Sequence, residues 1–60
     1  MSTKNRILEL LEKRRGESIS GERLAEILGV SRNAVWKAVK ELQKDGYSIA
    51  AVTNKGYCLS

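Results

Sequence analysis

The stretch from Ser20 to Gly46, SGERLAEILGVSRNAVWKAVKELQKDG, restricts the fold more than any other part of the chain. At helical period it reads as two helices joined by the tight turn Leu28-Gly29-Val30-Ser31. Gly29 marks the end of the first helix, because the residue past a helix C-terminus commonly takes the left-handed conformation, which glycine adopts without a Cβ clash. Ser31 is an N-cap, its hydroxyl placed to accept from an otherwise unpaired amide in the next helix's first turn. Val30 before the cap and Val35 after it have the spacing of a hydrophobic staple, which sets the angle at which the second helix leaves the turn. Two short helices joined by a few residues that include glycine make a helix-turn-helix.

The second of these helices, about residues 32–45, divides into two faces. At about 100° per residue, Val35, Ala38, Val39 and Leu42 share one stripe, while Asn33, Trp36, Lys37, Lys40 and Lys44 fall on the other. Arg32 stands at the helix N-terminus, and Glu41 and Asp45 lie off the centre of the charged face. A helix that needs only solubility mixes both charge signs on its outer side. One that lies in the major groove of DNA needs donors for base edges and cations for phosphates, which is the composition found here.

Sixty residues allow one domain and leave no room for a core plus a deep catalytic pocket. A chain of this size buries only about 60% of its unfolded surface and is marginally stable. The net charge of +4 suits a polyanionic partner. Residues 31–60 hold five cations (Arg32, Lys37, Lys40, Lys44, Lys55) against Glu41 and Asp45, so +3 of that +4 sits on and after the second helix of the motif. With one cysteine and no histidine, neither an internal disulfide nor a Cys/His zinc site is available within one chain. No acid–base pair or metal cluster suggests catalysis, so this chain is not expected to be an enzyme. No apolar run resembles a signal peptide or a membrane span, and the cytoplasm is the expected compartment.

Before the motif, Ser2 or Thr3 can cap a first helix over about 3–14, with Ile7, Leu8, Leu10 and Leu11 as its apolar stripe. Lys13, Arg14 and Arg15 suit the negative end of that helix, although the triplet has a second use as a phosphate contact. Ile19, between polar neighbours, fits a short extended piece with its side chain inward. Ser20 caps the next helix, about 21–28, whose expected buried stripe is Leu24, Ile27 and Leu28, with Ala25 small enough to let the following helix approach. After Gly46 the period changes. Residues about 48–59 read as a hairpin turning at Thr53-Asn54-Lys55-Gly56. Ile49 and Ala51 on one strand, and Tyr57 and Leu59 on the other, are the residues expected to lie on the helices.

The order helix, short strand, helix, helix, hairpin is that of a winged helix-turn-helix domain: mainly α, with a small β-hairpin as the wing. Gly16-Glu17, Ser20-Gly21-Glu22, Leu24-Ala25, Leu28-Gly29-Val30-Ser31-Arg32, Ala34-Val35, Lys37, Leu42, Gly46 and Lys55-Gly56-Tyr57 together resemble the N-terminal DNA-binding domain of the bifunctional biotin–protein ligase and biotin operon repressor family. The block from Ser20 to Arg32 is shared with other winged regulators. Lys55-Gly56-Tyr57, followed by Leu59, points to the biotin group. The resemblance implies a parent that makes biotinyl-5′-AMP from biotin and ATP, transfers biotin to a carboxylase lysine, and binds a biotin operator as a dimer. It implies that this chain is the DNA-binding domain alone, severed before the ligase, with no cofactor of its own. Two other functions remain open: the DNA-binding module of a regulator that senses another metabolite, and a winged helix that binds an acidic protein.

Ser31, Arg32 and Asn33 begin the helix that would enter the groove. Arg32 has the geometry for guanine and Asn33 for adenine, with phosphate as the alternative for both. Lys37 and Lys40 suit phosphate or groove contacts, and Lys55 at the wing tip suits a phosphate or the adjacent minor groove. Trp36, about 100° from the apolar stripe, has two readings. It lies on the DNA backbone or a thymine methyl, or it packs on the wing or the first helix.

Overall fold

The computed structural model describes residues 2–60. Helix α1 spans Thr3–Lys13, α2 Gly21–Leu28 and α3 Arg32–Lys44; strands β1 (Ile49–Val52) and β2 (Gly56–Leu59) complete the chain. This is a winged helix-turn-helix, three helices and an antiparallel hairpin. Each helix begins at a serine. The hydroxyls of Ser2, Ser20 and Ser31 accept from the amides of Asn5 (3.2 Å), Arg23 (3.0 Å) and Ala34 (3.1 Å), which satisfies one otherwise orphaned donor per helix.

The turn between α2 and α3 closes as a Schellman motif. Val30 donates to the Ala25 carbonyl (3.0 Å) and Gly29 to that of Glu26 (3.3 Å), with Gly29 left-handed at φ +68°. The end of α3 repeats the arrangement, Tyr47 donating to Leu42 and Gly46 to Gln43, both at 3.1 Å.

Val35, Ala38, Val39 and Leu42 of α3 are buried against Ile7 and Leu11 of α1 and Leu24, Ala25 and Leu28 of α2. Val30 packs against this cluster, as the staple spacing requires. Leu8 and Leu10 are half-buried at its margin. Ile27 does not join it. Of its surface 43% is exposed. At helical period Leu24, Ala25 and Leu28 form one arc, and Ile27 lies off the arc's end. The small Ala25 brings α3 to its own side and leaves Ile27 in a shallow groove between α1 and α2, beside Leu10 and Leu28.

The wing is attached at its base. Ile19 forms an antiparallel bridge with Tyr57: each amide donates to the other's carbonyl, at 2.9 and 2.8 Å. The chain runs close enough there that a Cβ on Gly56, whose φ is +107°, would collide with the Ile19 carbonyl and Ser20 Cα. The paired residues Ile49 and Leu59 are buried, and the Gln43 side chain donates to the Ile49 carbonyl at 2.7 Å, joining α3 to β1. Ala51 and Tyr57 form the next pair on that face. Ala51, expected on the helices, is exposed because the helical layer ends beneath the Ile49–Leu59 pair and the wing extends past it. Tyr57 stays half-buried with its ring against Gly21.

Lys4 of α1 pairs with Asp45, the C-cap of α3. The Asp45 carboxylate accepts its hydrogen bond and holds the Lys4 ammonium above its ordinary pKa of 10.5. The lysine also offsets an acid placed at the negative end of a helix.

Three outcomes are expected. Leu42→Ala removes a fully buried anchor and costs about 2–5 kcal/mol, enough to unfold most of a domain this small; urea unfolding followed by circular dichroism measures it. Gly56→Ala separates the wing from Ile19, seen as faster hydrogen exchange at the Ile19 and Tyr57 amides. A raised lysine pKa contributes stability below pH 10.5 that is lost as the pH climbs through the raised value. The melting temperature of the wild type should therefore fall more steeply above that pH than the melting temperature of Asp45→Asn.

Candidate nucleic-acid interface

Burial of one face of α3 turns the other outward. Arg32, Asn33, Trp36, Lys37 and Lys40 are all exposed, and so are Ser31 before them and Lys55 on the wing. The Ser31 hydroxyl already accepts from Ala34, so its acceptor capacity is partly used in capping. Asp45 is drawn toward α1 by Lys4, which leaves Glu41 as the remaining exposed acid of α3.

Arg32, Asn33 and Trp36 form one wall of an open groove of about 980 Å³. The wing forms the other through Ala51, Val52, Thr53, Asn54, Lys55, Gly56 and Tyr57, and the start of α2 from Ser20 to Glu22 closes the floor. Four of the candidate residues, Arg32, Asn33, Trp36 and Lys55, therefore meet across one concavity. Lys37, Lys40 and Ser31 lie outside it. Asn54 is left-handed at φ +66°, which turns the chain so that Lys55 sits at the wing tip.

Trp36 does not join the core. It is 52% exposed, and the Lys40 ammonium lies 5.4 Å from the centroid of its ring, within range of a cation–π contact. The i, i+4 spacing of these two residues is a signal from which that contact could have been expected. The wing residues Val52, Thr53 and Asn54 had no comparable signal, since a position in a turn does not reveal which way the hairpin leans.

A helix-turn-helix followed by a wing, with cations on the outer face of the last helix, defines a DNA-binding domain of the winged class. A family model described as an HTH domain matches residues 3–58, and the chain belongs to that family. It is 47% identical over 53 residues to the bifunctional ligase/repressor BirA of Bacillus spizizenii, and equally so to that of Bacillus subtilis. Those matches cover 88% of this chain and 16% of each relative, and they fall in the relatives' N-terminal region. The likeness to the ligase/repressor family read from residues between Gly16 and Tyr57 is thereby borne out. No helix among the described residues is long and apolar enough to cross a membrane.

Proposed function

We propose that this domain is the operator-binding module of a transcriptional repressor that responds to biotin. The carrying observation is the concavity in which Arg32, Asn33 and Trp36 of α3 face Lys55 of the wing. In this reading α3 enters the major groove. Arg32 meets guanine and Asn33 adenine, Lys37 and Lys40 hold phosphates, and Lys55 reaches the flanking backbone or minor groove. Ser31 sets the first turn of α3 at the base edges. The biotin response, with biotin, ATP and biotinyl-5′-AMP handled elsewhere in a longer parent, is what the resemblance carried by Lys55-Gly56-Tyr57 implies, and similarity to proteins named ligase/repressor supports it. One such domain carries few contacts, and non-specific binding of this kind falls at about 10⁻⁴–10⁻⁶ M. Pairing two copies in a dimer of the parent supplies specificity through effective concentration.

Titrations of labelled duplex at several salt concentrations test the phosphate contacts. With about four phosphates met per domain, log K against log salt should slope near −3.6, and a flat response contradicts the proposal. Lys37→Ala should weaken all sequences alike and reduce the slope by about one unit, whereas Arg32→Ala should relax the preference at one base pair by about 1–3 kcal/mol. An acidic protein that displaces nothing from DNA, yet quenches Trp36 where duplex DNA does not, would favour a protein partner.

A further inference from the structure

Among the outward-facing residues Arg32, Asn33, Trp36, Lys37 and Lys40, Trp36 alone brings neither a charge nor an amide to a polyanion. An indole with half its surface in water, amid lysines, contributes no charge and buries nothing in the core. It is not loosely placed. The Lys40 ammonium, one turn further along, sits 5.4 Å from the ring centroid. Trp36 lines the groove with Arg32 and Asn33, whereas Lys40 does not. The ring is thus held from the Lys40 side and presents apolar surface where the nucleic acid would enter.

The major-groove edges of base pairs offer hydrogen-bond donors and acceptors, with one apolar exception: the C5-methyl of thymine. Phosphates match an aromatic face no better than polar base edges do. The Nε1–H of an indole can donate to a phosphate or a base acceptor, but the apolar ring face of Trp36, one helical turn from Arg32 and Asn33 on the same side of α3, has the thymine methyl as its one apolar match among the base edges. We infer that Trp36 selects a thymine in the half-site by contact with its methyl group, and that Lys40 is a positioning residue that fixes the indole for that contact. The inference rests on α3 reading the major groove, as proposed above.

The test is selection from randomised duplex DNA by a dimerised version of the 60-residue chain, followed by competition between selected duplexes that carry thymine or uracil at single positions. The wild type should prefer thymine over uracil at one position by about fourfold, the effect of burying one methyl group. Trp36→Ala, an exposed site whose circular dichroism should match the wild type, should bind the two duplexes equally and keep the base preferences that depend on Arg32 and Asn33. Lys40→Gln should narrow the thymine preference to about twofold, and Lys40→Arg should restore it, since a guanidinium also stacks on an indole. Equal binding of thymine and uracil duplexes by the wild type overturns the inference while leaving sequence-specific binding intact. A uniform loss across all sequences in Trp36→Ala overturns it too, and assigns the ring to the sugar–phosphate backbone. If the wild type enriches no sequence at all, operator recognition itself fails along with it.

Discussion

Four side chains of α3, Val35, Ala38, Val39 and Leu42, govern the rest of the molecule. They are the part of α3 that water rejects, and α1 and α2 provide most of the apolar surface that takes them, with Ile19, Ile49 and Leu59 in the same cluster. Because a helix is rigid in rotation about its axis, seating that stripe decides where each other residue of α3 points. Arg32, Asn33, Trp36, Lys37 and Lys40 are outward-facing as a consequence of the core and need no separate device to display them. The serine cap and the Val30–Val35 staple then set the tilt of the helix and hold its N-terminal turn clear of α2.

The wing depends on the same core at one remove. A two-stranded hairpin is marginal by itself in water. Here its base is tied at several points: the Ile49–Leu59 pair sinks into the helical layer, Ile19 bridges Tyr57, Gln43 bonds the Ile49 carbonyl, and the Tyr57 ring covers Gly21. Beyond that base the strands are free of the helices, and this freedom lets Lys55 stand opposite Arg32 across the groove. The wing is stiff where it meets the core and extended where it can meet a ligand.

Much of the architecture was legible because its causes are local. Serine caps, the glycine in the α2–α3 turn and the helical period of the α3 stripe act within a few residues, and the structure reproduces each. Ile27 was misread because an eight-residue helix offers too little period to settle which of two neighbouring arcs faces the core; that depends on the side from which α3 approaches. Ala51 was misread because alternation along a strand says which face a residue takes, not how far the covering layer reaches. Gly56 reads locally as a turn residue, yet its stronger constraint is the passage of Ile19 and Ser20 past its Cα, a non-local fact. The charged face of α3 could be drawn from the helical period, but the groove it shares with the wing could not.

The central claim is that one continuous surface, the outer side of α3 together with the wing tip, is where nucleic acid lands. Backbone amide NMR shifts of the 15N-labelled chain during titration with a short duplex test this directly. Perturbations should gather at Arg32, Asn33, Trp36, Lys37, Lys40 and Thr53 through Lys55, while Arg6, Glu9 and Ile27 on the α1–α2 side stay still. Shifts concentrated around Ile27, with the α3 face unmoved, would contradict the account.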